Sequence, residues 1–448
     1  MGDIACDAED LCFNLLDQTW QGVVVEFVIA VYSFVGIAVV ADEHLAPSLE
    51  TLCHRLNLPE DVAGASFLAL GSAAPEIIIA AVSTVKSLLA GEDTPEERVK
   101  GAFAQALGIS SILGSGMMAL TLIPGLCAMA VSQPMALKRR PVARDVFFYS
   151  LSLLVLYYII EKGRADFTDA VGMLVLYAVY LTLTATAPNL RRCYRTRCLG
   201  KAASSSPMER AAADGDGLGE ALAKEEGSPD GDDDDDDDDE GPAPWYWLPF
   251  APLAALMGKT CPSCEIGSDT EHLYGVTMVV AFGWLALFST ALSAAITRWG
   301  ILLSIPGTAM GMFIVAVGAQ IPDTVQAIAV AKRGFGSMAV ASAIGSQVMN
   351  ILIGLGLPWT ISTCYGMPIV VPDEPELATM VYLEVVCVLT YVVVVMAPTV
   401  FTWGRFGRAT LDRPQGYVLF AAYALVAAAY LAWFIFVQGG KTLDDGED

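Results

Sequence analysis

The chain has 448 residues, of which 55% are hydrophobic and only 17% are charged. This composition excludes an ordinary soluble domain and indicates a polytopic membrane protein. The net charge of -24 argues against nucleic acid as a partner, although much of it lies in one acidic tract, Asp232 to Glu240. Ten cysteines form no disulfide framework, and the single close pair, Cys261 and Cys264 in CPSC, leaves a zinc site or a disulfide as alternatives.

Runs of about 20 apolar residues predict membrane-spanning helices. The sequence contains ten of them, five in each half, and a shorter apolar piece at 245–257 is expected to lie along the membrane surface. We therefore predict an all-α polytopic membrane protein, integral to a membrane that the sequence does not identify. The predicted spans are 22–41, 62–89, 103–132, 145–162, 168–187, 273–296, 299–330, 338–359, 378–397 and 416–437.

Lys and Arg residues in short loops predict the orientation of these spans, since such residues are retained on the cytoplasmic side. The basic clusters follow spans three, five, seven and nine, which places all of them on one side. Ten spans with these clusters in the cytoplasm place segment 1–21 outside it. This segment is acidic and lacks the positive region of a signal peptide, so the first apolar run is expected to be a true span. The first membrane half is then 22–187 and the second 245–437, followed by an acidic tail at 438–448.

Segment 188–244 separates the two halves and is predicted to be a disordered cytoplasmic linker. It begins with basic residues, continues with Ala, Ser, Gly and Pro, and ends in DDDDDDDDE, so it contains too little apolar surface to fold alone. The aspartate run has two interpretations, a weak calcium-collecting or regulatory segment and a solvated, self-repelling spacer.

A repeat links the two membrane halves. The stretch GASFLALGSAAPE (64–76) aligns with GMFIVAVGAQIPD (311–323), and Gly-Ser pairs follow in both halves, at 114–115 and 345–346. With five spans per half, the second copy enters the membrane from the opposite side. Repeat one (62–130) and repeat two (305–359) are therefore inverted, which is typical of secondary transporters.

Each repeat brings oxygen ligands to the middle of the membrane. Pro75 and Pro322 lack an amide hydrogen, so each leaves a carbonyl free one turn earlier and is expected to break its helix. A carboxylate follows each proline, Glu76 in the first repeat and Asp323 in the second. Carboxylate, carbonyl and hydroxyl oxygens suit a hard cation such as Ca²⁺ or Na⁺.

These motifs, together with the lead-in VYSFVGIAVVADEHLAPSLE, resemble the potassium-dependent sodium/calcium exchanger branch of the calcium/cation antiporter superfamily. The resemblance covers roughly 25–130 and 273–397. It implies sodium-coupled calcium exchange by alternating access, with inorganic cations as transported partners and no cofactor. The implied ligands are the acids Glu76 and Asp323, the carbonyls of Ala69 and Ala316, and the hydroxyls of Ser72, Ser115 and Ser346.

The chain departs from the pattern of this family at three places. Ala319 and Gln320 stand where the family has Thr-Ser, and Ala119 stands where it has Asn. Asn350 replaces the aspartate that the family associates with potassium co-transport, which argues against potassium as a transported ion here. Asn350 remains a candidate ligand through its amide oxygen, and Gln320 is either a ligand or an interhelical hydrogen-bond donor.

Three classes of function stay open at this point. The first is the sodium-coupled calcium antiporter, and the second is an antiporter of the same fold that uses protons or carries Mg²⁺ or K⁺. The third is a membrane protein that does not transport, which the retention of two costly buried acids argues against. No catalytic triad, phosphate loop or cofactor motif is present, so we do not expect an enzyme.

Two further intramembrane acids, Glu26 and Glu384, have no assigned role, and the oligomeric state is not predicted.

Overall fold

The computed structural model describes residues 20–55, 69–89, 95–198 and 250–444, apart from gaps at 132, 138, 263, 265–270, 304, 333, 335, 368, 373–374 and 398–408. Most of segment 1–21, most of the linker 188–244 and the end of the tail 438–448 lie outside these residues, as does the start of repeat one. The described part is almost entirely helical, as the long apolar runs predict.

The first half contains long helices joined by short connections. Two of them contain a wider π-helical turn, in which the hydrogen bonds run from i to i+5. The elements are α1 (Trp20–Val39), a π-helical turn (Val40–Leu45), α2 (Ala46–Arg55), α3 (Ala69–Leu89), α4 (Pro95–Met117), a π-helical turn (Met118–Leu122), α5 (Ile123–Ala130), α6 (Arg139–Lys162) and α7 (Phe167–Cys198).

The second half repeats this organisation. Its elements are α8 (Ala251–Thr260), a 3-10 turn (Glu271–Leu273), α9 (Tyr274–Leu303), α10 (Gly307–Met310), a π-helical turn (Gly311–Val315), α11 (Ala316–Lys332), α12 (Gly336–Met349), a π-helical turn (Asn350–Leu355), α13 (Gly356–Cys364), α14 (Pro375–Tyr391), a π-helical turn (Val392–Met396) and α15 (Arg413–Asp444). The π-helical turns at 118–122 and 350–355 follow the two Gly-Ser pairs at almost the same distance, so the repeat extends to the backbone geometry.

Within the described residues, nine helical segments are long and apolar enough to cross a membrane. They correspond to nine of the ten predicted spans. The remaining predicted span, 62–89, is represented by α3, whose preceding residues 62–68 lie outside the described part. The count of ten spans is therefore not confirmed, while the all-helical polytopic architecture is.

The two Gly-Ser helices lie at the centre of the bundle. In an apolar 18-residue stretch of each span, the buried share is 94% for 101–130 and 72% for 336–364, whereas it is only 22% and 17% for the spans in α7 and α15. Small Gly, Ala and Ser side chains let helices approach closely, which explains the central position of these two sequences. Large apolar side chains on the outer helices, such as Leu154, Val279 and Leu425, are exposed and face the space that lipid occupies.

Short antiparallel strands tie together the loops at each end of the bundle. Strand β1 (Met135–Leu137) pairs with β4 (Ala409–Leu411), and β2 (Arg164–Ala165) pairs with β3 (Ile369–Val370). The basic-loop pattern predicts the first pair on the cytoplasmic side and the second pair on the opposite side. Each pair therefore joins loops with the same predicted sidedness, and the assignment of one end to the cytoplasm stays a prediction.

Several boundaries differ from the predicted ones. Helix α9 runs to Leu303, so Arg298 lies inside a helix and not in the predicted loop between spans six and seven. Its guanidinium Nη1 lies 3.0 Å from Glu26 Oε1, and Glu26 is only 2% exposed. The ion pair neutralises both charges, which explains how the helix continues through Arg298. Glu26, unassigned in the sequence, thus joins α1 to α9.

The helix ends also extend past the predicted limits. Helix α7 continues to Cys198, into the predicted linker, and α15 continues to Asp444, into the predicted tail. The apolar piece predicted at 245–257 is described from residue 250 and forms α8, which buries Leu253 and Met257. In CPSC, Cys261 is a buried free thiol, so the alternative of a disulfide is not realised.

The prediction that the prolines break their helices is wrong. Helix α3 continues through Pro75 and α11 continues through Pro322. A proline still removes one hydrogen bond from its helix, so the carbonyls of Gly71 and Gly318, four residues earlier, lose their usual donor.

Candidate cation site

The acid of the first repeat is held by an amide from the second. Glu76 lies on α3 directly after Pro75 and is 1% exposed. Its Oε1 accepts a hydrogen bond from Gln320 Nε2 on α11, at 2.7 Å. Its Oε2 is buried and has no hydrogen-bond partner among the described residues. One carboxylate oxygen is therefore fixed, and the other is available to a ligand.

The acid of the second repeat lines a small cavity. Asp323 borders a space of about 20 Å³, which is large enough for one water molecule or a bare cation. Pro75 of the first repeat and Pro322 of the second line the same cavity, as do Phe34 and Asp42 from the start of the chain. The two helices that carry the predicted acids thus meet at one place.

The charges around this cavity all have the same sign. Glu76 and Asp323 are close enough to repel each other, and Asp323 also interacts with Asp42. Burying like charges together is costly unless a cation or protons compensate for them. The electrostatics of the site therefore favour a positively charged ligand.

The hydroxyl of the first Gly-Ser pair meets the second repeat through Gln347. Ser115 is fully buried, and its Oγ lies 3.0 Å from Gln347 Oε1. Asn350 Nδ2 donates to the same oxygen at 3.1 Å. Gln347 Nε2 and Asn350 Oδ1 are buried without hydrogen-bond partners in the described part of the chain. This group of polar side chains therefore has donor and acceptor capacity that a bound ligand would use.

The other predicted ligands are distributed along the same helices. Ser346 is buried, and its hydroxyl donates to Ala343 O at 3.1 Å within its own helix. Ala316 is fully buried at the first position of α11, directly after a π-helical turn. Ala69 and Ser72 lie in the first turns of α3, and the structure does not describe their side chains.

Gly114 explains why the central helices approach so closely. A Cβ atom at this position would lie 2.7 Å from the Cβ of Ala316 and 2.9 Å from the carbonyl oxygen of Met312. Only glycine fits such a contact between α4 and the start of α11. The glycine before Ser115 thus lets the backbone of α4 approach Ala316 and Met312 of the second repeat.

The donor set contains mostly neutral oxygen atoms. Among the described residues, no group of three or more His, Cys, Asp or Glu side chains is arranged to hold a metal ion. A cation at this site would be held by two acids together with carbonyl, amide and hydroxyl oxygens. Such ligands suit Na⁺ and Ca²⁺ and do not suit a transition metal.

Two members of the site are absent from the sequence prediction. Asp42 was not among the predicted ligands, yet it lines the cavity beside Asp323. Gln347 was not considered, although it lies one helical turn before Asn350 and on the same helix face. A polar residue three positions before a predicted ligand is the signal that identifies Gln347. No sequence feature identifies Asp42, because its distance from Asp323 depends on how α1 packs.

A family model and several known proteins match most of this chain. The family model described as "Sodium/calcium exchanger protein" matches residues 25–186 and 273–432, which is most of the chain. Sodium/potassium/calcium exchanger 5 of Homo sapiens is 25% identical over 464 residues, covering 96% of this chain and 87% of that protein. A probable sodium/potassium/calcium exchanger of Drosophila melanogaster is 27% identical, with 78% and 70% covered.

A solved structure shares the fold. The crystal structure of the H⁺/Ca²⁺ exchanger CAX matches with a TM-score of 0.56 at 15% identity, covering 94% of this chain and 89% of that chain. At this identity the likeness concerns the arrangement of helices only. The family match extends over both membrane halves, including both acids and both Gly-Ser pairs. This chain therefore belongs to the sodium/calcium exchanger family.

Proposed function

We propose that this protein is a secondary active antiporter that exchanges calcium for sodium by alternating access, and that it is not an enzyme. The observation that carries the proposal is the junction of the two inverted repeats, where Gln320 of one repeat binds Glu76 of the other beside the cavity of Asp323. Inverted-repeat transporters place their substrate site at such a junction. The relatives are named as exchangers of sodium, potassium and calcium, which supports the same class of substrate here.

In this proposal Glu76 and Asp323 neutralise one Ca²⁺ or two Na⁺ in turn. The oxygens of Ser72, Ser115, Ser346, Gln320 and Asn350, and the carbonyls of Ala69 and Ala316, complete the coordination. The two carboxylates assigned as ligands balance these charges without a further cation, and Asp42, which borders the same cavity, is not assigned as a ligand. Potassium is therefore not expected to be transported, because the third acid of the potassium-dependent pattern is replaced by Asn350.

The second candidate is an antiporter of the same fold that is coupled to protons or carries another cation, such as Mg²⁺ or K⁺. The observation that favours it is the loss of oxygen ligands at Ala119 and Ala319, both of which are buried in the bundle. Fewer neutral ligands leave a site that depends more strongly on its carboxylates, and carboxylates bind protons as well as metal ions.

The experiment is calcium flux into reconstituted vesicles under sodium, proton and potassium gradients, imposed one at a time. We expect a sodium gradient alone to drive calcium uptake, and we expect no added effect of potassium. Uptake that follows only a proton gradient would establish the second candidate. Absence of flux of Ca²⁺, Mg²⁺ and K⁺ under every gradient, in protein shown to be folded, would overturn both.

A further inference from the structure

A second buried acid lies behind the cation site. Glu384 on α14 is fully buried, and neither of its carboxylate oxygens has a hydrogen-bond partner among the described residues. Tyr149 on α6 is also fully buried, and its hydroxyl lacks a partner in the same part of the chain. A carboxylate and a phenol that are both unsatisfied in the membrane core require an explanation.

Gly116 brings these two groups together. A Cβ atom at Gly116 would lie 2.0 Å from Glu384 Oε1 and 2.0 Å from Tyr149 Oη. Both oxygens therefore converge on one point above the backbone of α4. We call Glu384, Tyr149 and Gly116 the Glu384 cluster.

The surroundings of the cluster contain no cation that neutralises Glu384. From α6, Tyr149 faces it and Asp145 lies one turn away, bound to Arg144 at 2.8 Å. On its own helix, Cys387 interacts with it electrostatically, and Tyr391 is a further buried phenol. From α15, Tyr423 lies close to Cys387. Within the described residues no Lys, Arg or His forms an ion pair with Glu384.

A buried acid–tyrosine pair behind the other Gly-Ser helix shows the contrast. Tyr180 Oη lies 3.4 Å from a Cβ placed on Gly345, and it donates to Asp145 Oδ1 at 3.1 Å. Arg144 donates to the same oxygen and neutralises the carboxylate. The pair behind the second repeat is thus fully compensated, whereas the pair behind the first repeat is not.

We propose that Glu384 and Tyr149 form a proton-binding site in the membrane core, distinct from the cation site, and that its proton weakens cation binding. A carboxyl group in hydrocarbon without a cationic partner takes up a proton in preference to remaining charged. A metal ion fits poorly, because Ca²⁺ requires six to eight oxygen ligands and the cluster supplies only a carboxylate and one hydroxyl from the described residues.

The Glu384 cluster and the cation site are connected through two consecutive residues of α4. Gly116 contacts Glu384, and its neighbour Ser115 contacts Gln347 from the adjacent position of α4. Loss of the proton adds a negative charge behind this helix, which attracts a cation in the site. Gain of the proton removes that attraction. The coupling part of the inference rests on the proposed function, whereas proton binding does not.

Infrared spectroscopy of the purified protein tests proton binding without transport. We expect the difference spectrum between acidic and alkaline pH to contain a band of a buried protonated carboxyl group that Glu384→Gln removes. The matched control is Glu161→Gln, since Glu161 likewise lies beside a tyrosine, Tyr157, which donates a hydrogen bond to it at 3.0 Å on the exposed surface. This control should retain the band.

Two further outcomes would overturn proton binding. A band that survives in folded Glu384→Gln protein belongs to another group. Cation binding at the cation site is itself expected to change the band, because the coupling is reciprocal, so a band that still responds to Na⁺ or K⁺ at constant pH in Glu76→Gln protein would show that the cluster binds a metal cation. If Glu384→Gln does not fold, Tyr149→Phe serves instead, because it removes only the hydroxyl. We expect it to shift the band, and an unchanged band would contradict the proposal.

Calcium flux at several pH values tests the coupling. Gln at position 384 mimics the protonated acid, so at alkaline pH the variant should need about three- to tenfold more calcium for half-maximal flux than the wild type. At acidic pH, where the wild-type acid is protonated, the two proteins should converge. Equal calcium dependence at every pH would overturn the coupling, and absence of flux in both proteins would count against the proposed function while the infrared result stands.

Discussion

The two repeats carry the same motif in different surroundings. Glu76 is 1% exposed and fixed by Gln320, whereas Asp323 lines the cavity next to Asp42. Gly114 is pressed against the backbone of the other repeat, whereas Gly345 has only Tyr180 nearby. Similar sequences thus produce two different half-sites, where a half-site is the acid of one repeat with its surroundings. The half-site of Glu76 is closed, and that of Asp323 is more open. Alternating access requires such an asymmetry, because the two halves of an inverted repeat exchange roles when the site opens to the other side.

The largest effect is expected from the closed half-site. Glu76→Gln removes a charged ligand from a buried site, which costs ~3 kcal/mol or more. Calcium flux in vesicles should fall by about a hundredfold or more under every gradient. The amount of folded protein is measured in parallel, and the surface variant Glu161→Gln is the control. Flux of Glu76→Gln close to that of the control would contradict the assignment of this acid.

The glycines of the two Gly-Ser pairs should tolerate alanine differently. Gly114→Ala places a methyl group 2.7 Å from Ala316 and close to the Met312 carbonyl, and overpacking of this kind costs about 1–3 kcal/mol. Gly345→Ala meets only Tyr180 Oη at 3.4 Å, which is an ordinary contact. Thermal unfolding in detergent should show a clear loss for the first variant and little change for the second. Equal losses would show that the repeats are packed alike.

Gln320 supplies the hydrogen bond that distinguishes Glu76 from Asp323. The repeat alignment places Ala73 opposite Gln320, so Gln320→Ala makes the second repeat resemble the first. Loss of a hydrogen bond to a charged group costs ~1.5–3 kcal/mol, and the apparent calcium affinity should weaken by about tenfold or more. Calcium titration of the initial flux measures this change. An unchanged affinity would mean that the cation releases this hydrogen bond when it binds.

The smallest effect is expected from Asn350→Asp, which restores the acid of the potassium-dependent pattern. Asn350 donates to Gln347 Oε1, and an ionised aspartate cannot donate, so the amide of Gln347 must rotate to accommodate it. The third carboxylate then requires an additional cation. We expect calcium flux of this variant to gain a stimulation by potassium, of about two- to fivefold, that the wild type lacks. Equal stimulation in both proteins would refute the role assigned to this position.

Much of the architecture follows from local properties of the chain. Apolar runs of membrane length predict nine helical spans that the described residues contain, and basic loops predict which ends lie together, as the two strand pairs show. Other predictions were wrong because the features concerned depend on residues far away in the chain. Arg298 was placed in a loop because its partner Glu26 lies far away in the chain, and the proline helices were expected to break because their packing is not visible in the sequence.

The sequence by itself determines the membrane class, the inverted repeat and the two acids opposite each other, because apolar length, proline and carboxylate positions are properties of single segments. The tertiary structure decides which group satisfies each acid: Gln320 for Glu76, Arg298 for Glu26, Arg144 for Asp145, and none of the described groups for Glu384. In a membrane protein the lipid-facing surface is as apolar as the interior, so hydropathy does not reveal which helix faces meet. Charge compensation across those faces is a property of the folded bundle alone.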